Sequence, residues 1–357
     1  MINKEELKEI FLLSCNEALK LQKKNGEMPS GHNGSYYDEE TPVRNTAHWI
    51  ISFSKALELT KDQQFYDAIV LSLSFLKNNR WRPNNKTFYC REKEGKDKCN
   101  GLIGQAWVIE GLIKGYEVTK DEESLKLAQE VFETHPFSKR KNLWKRVEPD
   151  GEVLSFDLTF NHQLWFAMSG FLILKFTKNK IIEKTCLAFM EGIFQNLIVS
   201  NKGRINHVVK SNFKNDYLKH YVKKVLRKKE VDYMKLKEIG YQAFNTFAFS
   251  KILSLFPNLE FFKTKTYHRI INYILSNEYS KGILESHYGF PYNPPGFEAL
   301  YTYQLNYNIL KKGENKISRL MDIQQKNHFD RKSNNFSKNV HDKNTSSARI
   351  YELAESL

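Results

Sequence analysis

Three tryptophans, Trp49, Trp107 and Trp165, stand 58 residues apart in succession, each a few residues into an apolar segment that follows a long polar loop. Asn45 and Asn161 fall four residues before their tryptophans, and Gln105 and Gln163 fall two before theirs. A repeat of that length accommodates helix, loop, helix and loop. No such unit buries its apolar face alone, so successive units must pack on one another.

The rest of the chain obeys the same alternation. Residues 4–24 carry Ile10, Phe11, Leu13, Leu19 and Leu21 at helical spacing, which predicts an outer amphipathic helix. A polar loop (25–42) leads into an apolar helix from Val43. Residues 62–79 form the next outer helix, 80–100 the next loop, and Gly101 opens the second apolar helix. Outer helix 122–134 and loop 136–155 precede the third apolar helix, which runs to about Phe176. An amphipathic segment (181–199) and a longer interruption (200–237) precede a fourth apolar helix from Glu238. Residues 259–276 and a Tyr-, Pro- and Gly-rich stretch from Tyr288 lead into a fifth.

Five hairpins, with a further helix inside the interruption, predict an all-α (α/α)5–6 toroid over residues 1–312. Every loop entering an inner helix then emerges on one end, where the helix N-termini present partial positive charge. Strand signals are confined to 87–90 and 147–156, expected as short β-hairpins over that face. From residue 313 the chain is rich in Lys, Asn, Ser, Asp and Gln, which predicts a flexible, disordered tail over 313–357.

The formal net charge is +14, and part of it lies in one block, residues 210–229, beginning at Lys210 and ending at Lys229. A basic field concentrates anionic partners, so the block is a candidate for peripheral association with an anionic surface or glycan; the competing reading is a solvated helix face. No zinc finger, RNP motif or basic zipper accompanies it, which argues against a specific nucleic-acid reader. No run reaches the roughly 18 to 20 apolar residues of a membrane span, and the N-terminus lacks a secretory pattern, so a cytoplasmic protein is expected. Of four cysteines only Cys90 and Cys99 lie close in sequence; no motif calls for a metal or another cofactor.

The densest polar stretch, residues 156–165, brings Asp157, Asn161, His162, Gln163 and Trp165 to the start of the third apolar helix. A cap needs one or two such groups, and the surplus points to a ligand. The other loops add Arg44, Asn45 and His48; Asp97, Asn100 and Gln105; Asn206 and His207; Tyr241 and Gln242; and Tyr288, Tyr292 and Glu298. An annulus of amides, carboxylates, an arginine and aromatic rings suits a sugar, whose hydroxyls need polar partners and whose faces stack on rings. Trp165 and Tyr292 are the expected stacking platforms, while Trp49 and Trp107 read as core.

The stretches Arg44-Asn-Thr-Ala-His-Trp, Cys99-Asn-Gly-Leu-Ile-Gly-Gln-Ala-Trp, Asp157-Leu-Thr-Phe-Asn-His-Gln-Leu-Trp and Tyr288-Gly-Phe-Pro-Tyr-Asn-Pro-Pro-Gly-Phe-Glu resemble a toroidal family of surface-polysaccharide and N-glycosylation gene clusters. That family is similar in turn to the six-hairpin glycosidases, including unsaturated glucuronyl hydrolases. The resemblance implies a carbohydrate-active role, on uronic-acid glycans, in polysaccharide or glycoconjugate metabolism. By position alone it maps acid/base catalysis onto Asp97 and Asp157, although the motif around them differs from that of the hydrolases.

Two chemistries fit these residues. In the first and favoured one, Asp97 and Asp157 flank a glycosidic or vinyl-ether bond, one protonated and one ionised, as in a glycoside hydrolase. In the second, His162 or Tyr292 removes the proton beside a uronate carboxylate while Asn161 and Arg44 neutralise the developing charge, as in a C5 epimerase or glycan lyase. The structural readings are a satisfied core histidine for His162 and an N-cap for Asp157. A third possibility is a non-catalytic glycan-binding subunit of a polysaccharide assembly complex.

Overall fold

From Val43 to Phe53 every residue of the second helix is buried, and a helix buried on all sides needs neighbours on all sides. The structure, a computed structural model, describes residues 3–210 and 228–357. Outer helices α1 (Lys4–Leu21), α3 (Gln63–Leu76), α5 (Glu122–Thr134) and α7 (Lys180–Glu191) alternate with inner helices α2 (Val43–Thr60), α4 (Gly101–Thr119) and α6 (Phe160–Leu174). Helix α8 (Lys228–Gly240) runs into the fourth inner helix, α9 (Gln242–Leu255). Outer α10 (Lys265–Tyr273) and α11 (Asn277–Glu285) precede inner α12 (Pro295–Leu305). A short α13 (Tyr307–Leu310), outer α14 (Glu314–His328), α15 (Lys343–Ala348) and α16 (Tyr351–Ala354) complete the chain.

Inner packing runs α2 on α4, α4 on α6, α6 on α9, α9 on α12, α12 on α16, and α16 back on α2. Among the described residues the (α/α) toroid is thus closed by six inner segments. The sixth comes from the region expected to be a flexible tail. Its average composition is polar, yet Ile317, Leu320 and Met321 share one buried face of α14. Ile350, Tyr351 and Leu353 are fully buried against the ring. Composition averages over residues, whereas burial needs only the few that face inward. The further helix expected inside the interruption is α8. Most of the basic block 210–229 lies outside the described residues.

Inner-to-outer turns repeat as well. Thr60-Lys61-Asp62 and Thr119-Lys120-Asp121 each place the lysine in the left-handed region (φ 60° and 58°), and each threonine hydroxyl accepts the aspartate amide. Both aspartates then stand at the start of an outer helix.

Antiparallel pairs form in the loops: β1 (His32–Asn33) with β2 (Asp38–Glu39), β3 (Phe137–Ser138) with β4 (Leu143–Val147), β4 with β5 (Val153–Phe156), and β6 (Phe329–Asp330) with β7 (Asn335–Phe336). The β4–β5 hairpin covers the expected 147–156 segment. Residues 87–90 form no strand; Arg91, just beyond them, makes a single bridge to Glu40. No helix among the described residues is long and apolar enough to cross a membrane.

Candidate functional site

The loops entering α2, α4, α6, α9 and α12 converge on a cavity of about 200 Å³. Among the expected residues, Asn161, His162, His207, Tyr241 and Tyr292 line it. Trp107, Arg91, Lys96, Lys237, Phe244 and Arg349 line it too, with Asn33, Tyr36 and Asp38 from the first loop.

Both candidate catalytic carboxylates converge on the start of α4. Asn100 (φ 55°) and Gly101 (φ 61°) are successively left-handed, which swings the first amides of α4 outward. Gly101 N–H donates to Asp97 Oδ1 at 2.7 Å, and Leu102 N–H donates to Asp157 Oδ2 at 3.0 Å. A Cβ on Gly101 would lie 2.7 Å from that Asp157 oxygen and 2.9 Å from His162 Nδ1, so only glycine fits. Asp157 also accepts the Thr159 amide at the start of α6. The foreseen N-cap of α6 is not formed, since Thr159 holds that position and Asp157 only folds back onto its amide; the helix that Asp157 caps is α4, through Leu102.

Neither carboxylate is poised as an acid. Burial alone would raise Asp97, but Arg91, the Gly101 amide and Arg146, whose Nη1 is 2.8 Å away, hold it below the usual carboxylate range. Asp157 is nearly inaccessible, which again works upward. The charge and hydrogen bond of His162, 2.8 Å from Oδ2, together with two amides, outweigh that and bring it to about 2. Asp97 and Asp157 themselves do not line the cavity. His162 does, with Nδ1 fixed by Asp157. His207 faces the same space with a buried, unpartnered Nδ1. Burial, then Lys237 and His162, push it well below the ordinary histidine range.

Arg44 lies one layer behind the cavity. Its guanidinium pairs with Glu40 at 2.9 Å and lies 3.8 Å over the Trp107 ring. Asn100 donates to Glu40 at 2.8 Å and accepts from Arg91. Trp107, read as core, is buried as expected yet also lines the cavity, with one ring face under the Arg44 guanidinium. Trp165 reverses the expectation in the other direction. It is fully buried, stacked on Phe244 at 4.2 Å, and its indole N–H donates to the Phe244 carbonyl at 3.3 Å, so it is no platform.

Glutamines at the starts of three inner helices clasp loop backbone. Gln105 exchanges two hydrogen bonds with Phe88, Gln163 does the same with Trp144, and Gln242 accepts from Ile205 and donates to Gly203 and Ile270. All three are fully buried. The recurrence that marked Gln105 and Gln163 as sugar-binding belongs to the loops and not to the cavity. Asn45 likewise ties Pro29, and His48 is buried between Tyr351 (4.3 Å) and Trp107 (5.5 Å). Burial, with Arg44 and Arg349 nearby, keeps His48 neutral.

Next to Arg44, across the Tyr292 ring, Arg349 donates to Asn293, to Glu298 at 2.9 Å and to Glu352 at 2.5 Å. Glu298 is thus consumed in a buried ion pair. Burial and the adjacent Glu352 push its carboxyl up against the opposing arginine. Tyr288 joins Tyr233 through their hydroxyls behind the lining, and Tyr292 donates to Asn33 Oδ1 at 2.7 Å.

Sequence reasoning missed Arg349, Lys237 and Tyr36. Arg349 sits in the presumed tail and Lys237 in the basic interruption, where each was one charge among many. Tyr36 stood in a loop read only as polar and Gly-rich. The recurrence of inner-helix starts would have aligned Phe244 with Trp107 and Trp165.

No family model matches the chain. It is 34% identical to archaeal glycosylation protein Q of Haloferax volcanii over 97% of its own length and 96% of that protein. Among solved structures, cellobiose 2-epimerase from Bacillus thermoamylovorans shares the fold at a TM-score of 0.69 and 12% identity, covering 99% of this chain and all (100%) of that one. A heparin-specific unsaturated glucuronyl hydrolase does so at 0.63 and 9%, covering 99% and 97%.

Proposed function

This chain belongs to the family of archaeal glycosylation protein Q, and from that premise we propose that it is a carbohydrate-active enzyme of glycan metabolism that moves a proton on a uronate sugar. The reaction class is epimerase or isomerase, ahead of the hydrolase that the count of carboxylates favoured. One observation carries the reading: His162 faces the cavity with Nδ1 held 2.8 Å from Asp157, while Asp157 and Asp97 are both kept ionised. A carboxylate-pair hydrolase needs one of the two protonated.

In the tautomer that donates Nδ1–H to Asp157, the lone pair of His162 lies on Nε2. That nitrogen takes the proton at C5, beside the sugar carboxylate, and the electron pair of the C–H bond passes into the enediolate. The lining cations and the Asn161 amide stabilise the added charge. Return of a proton to the other face completes inversion, and Tyr292 and His207 are the lining groups able to exchange one. Asp157 acts through His162 as a positioning residue.

The test is incubation with uronic-acid oligosaccharides in deuterated water, followed by proton NMR. Deuterium at C5 without new reducing ends is the expected result, lost in His162→Gln. New reducing ends that survive His162→Gln would overturn it in favour of hydrolysis.

A further inference from the structure

Helix α8 enters the cavity wall through Lys237, and its neighbours on the helix fix where that side chain stands. Glu238 pairs with Arg204 at 2.9 Å, and Lys235 and Arg204 each reach Glu278 of α11 at 2.9 Å. Between these anchors Lys237 turns the other way, toward the cavity. Its ammonium lies 5.1 Å from the centre of the Tyr36 ring and 5.4 Å from that of Tyr288.

The other buried lining cations are already engaged. Arg91 meets Asn100 and Asp97, and Arg349 meets Glu298 and Glu352. Lys96 is exposed at the mouth. Among the described residues no carboxylate lies within ion-pair distance of Lys237; Asp38, the lining carboxylate, is not its partner. Burial alone draws Lys237 down to about 8, the direction expected of an ammonium short of counter-charge. Ring faces offset part of that cost, and a full negative charge offsets more.

We infer that Lys237, set beside the paired Tyr36 and Tyr288 rings, is the residue that recognises the anionic group of the sugar, so that the cavity selects a carboxylate-bearing sugar over its neutral counterpart. This rests on the reading of His162 as the proton-transfer group in the same cavity. It adds the part of the site that decides which sugar enters.

The experiment titrates the full-length protein with D-glucuronate and with D-glucose by calorimetry, in the wild type and in Lys237→Met and Lys237→Arg. The expected result is at least tenfold preference for glucuronate in the wild type. Lys237→Met should abolish that preference with glucose binding unchanged, and Lys237→Arg should restore part of it. Equal affinity of the wild type for both sugars, or undiminished glucuronate binding in Lys237→Met, overturns the inference. His162→Gln separates the two ideas. If it binds glucuronate normally but loses deuterium exchange, both stand; if it keeps exchange, the reaction assignment fails while anion recognition is judged on the binding data alone.

Discussion

His162 Nδ1 lies 2.8 Å from the same Asp157 oxygen that accepts the Leu102 amide, so one carboxylate orients the cavity imidazole and secures the start of α4. Removing the imidazole should therefore leave the ring intact. His162→Gln is expected to lower C5 deuterium exchange by about 100-fold or more, within the usual range for a lost general base, and to fold with a lowered melting temperature because Asp157 loses its charged partner.

Asp157 makes a pH-dependent contribution whose sign follows from its depressed pKa. The folded carboxyl titrates near 2 against an ordinary value of 3.8, so its contribution is complete above the ordinary value and is lost as pH falls through about 2. A shift of this size corresponds to about 2 kcal/mol. Denaturant unfolding of Asp157→Asn should show a deficit of that order at neutral pH, shrinking below pH 4.

Asp97 distinguishes the two chemistries. Its carboxylate is occupied by the Gly101 amide, Arg146 and Arg91, and it does not line the cavity. Asp97→Asn should cost about 1–2 kcal/mol of stability through the weakened cap and ion pairs, measured by chemical denaturation, while turnover stays within about threefold. A loss of turnover by several orders of magnitude would restore the carboxylate pair.

Gln163 is expected to matter for folding and not for sugar recognition. Gln163→Met keeps the volume but leaves the Trp144 amide and carbonyl and the Asp157 carbonyl without this partner. Each buried orphan costs about 1–3 kcal/mol, so unfolding should begin at markedly lower denaturant. Glucuronate affinity of the folded fraction should be unchanged.

The C-terminal segment should behave as part of the ring. Arg349→Met strands the buried Glu298 and Glu352 carboxylates, an expected loss of about 3–5 kcal/mol by thermal or chemical denaturation. Limited proteolysis of the wild type should leave residues 314–357 attached.

The alternation of apolar and amphipathic segments, with tryptophans 58 residues apart, was enough to specify the toroid. Side-chain periodicity is local, and a wholly apolar helix has only one way to be satisfied. It was also enough to gather Asn161, His162, His207, Tyr241 and Tyr292 onto one end, because every inner helix begins there. What a repeat cannot express is which face of a recurring residue meets the cavity. Gln105 and Gln163 recur because each loop needs the same clasp, and Trp107 and Trp165 occupy matching positions with opposite exposure to the cavity. Only the closed ring decided that Arg349, nearly 250 residues from Trp107 in the chain, shares its cavity, and that Lys237 faces it without a counter-charge among the described residues. Those juxtapositions join residues distant in sequence, and they exist only once the sixth segment packs back against the first.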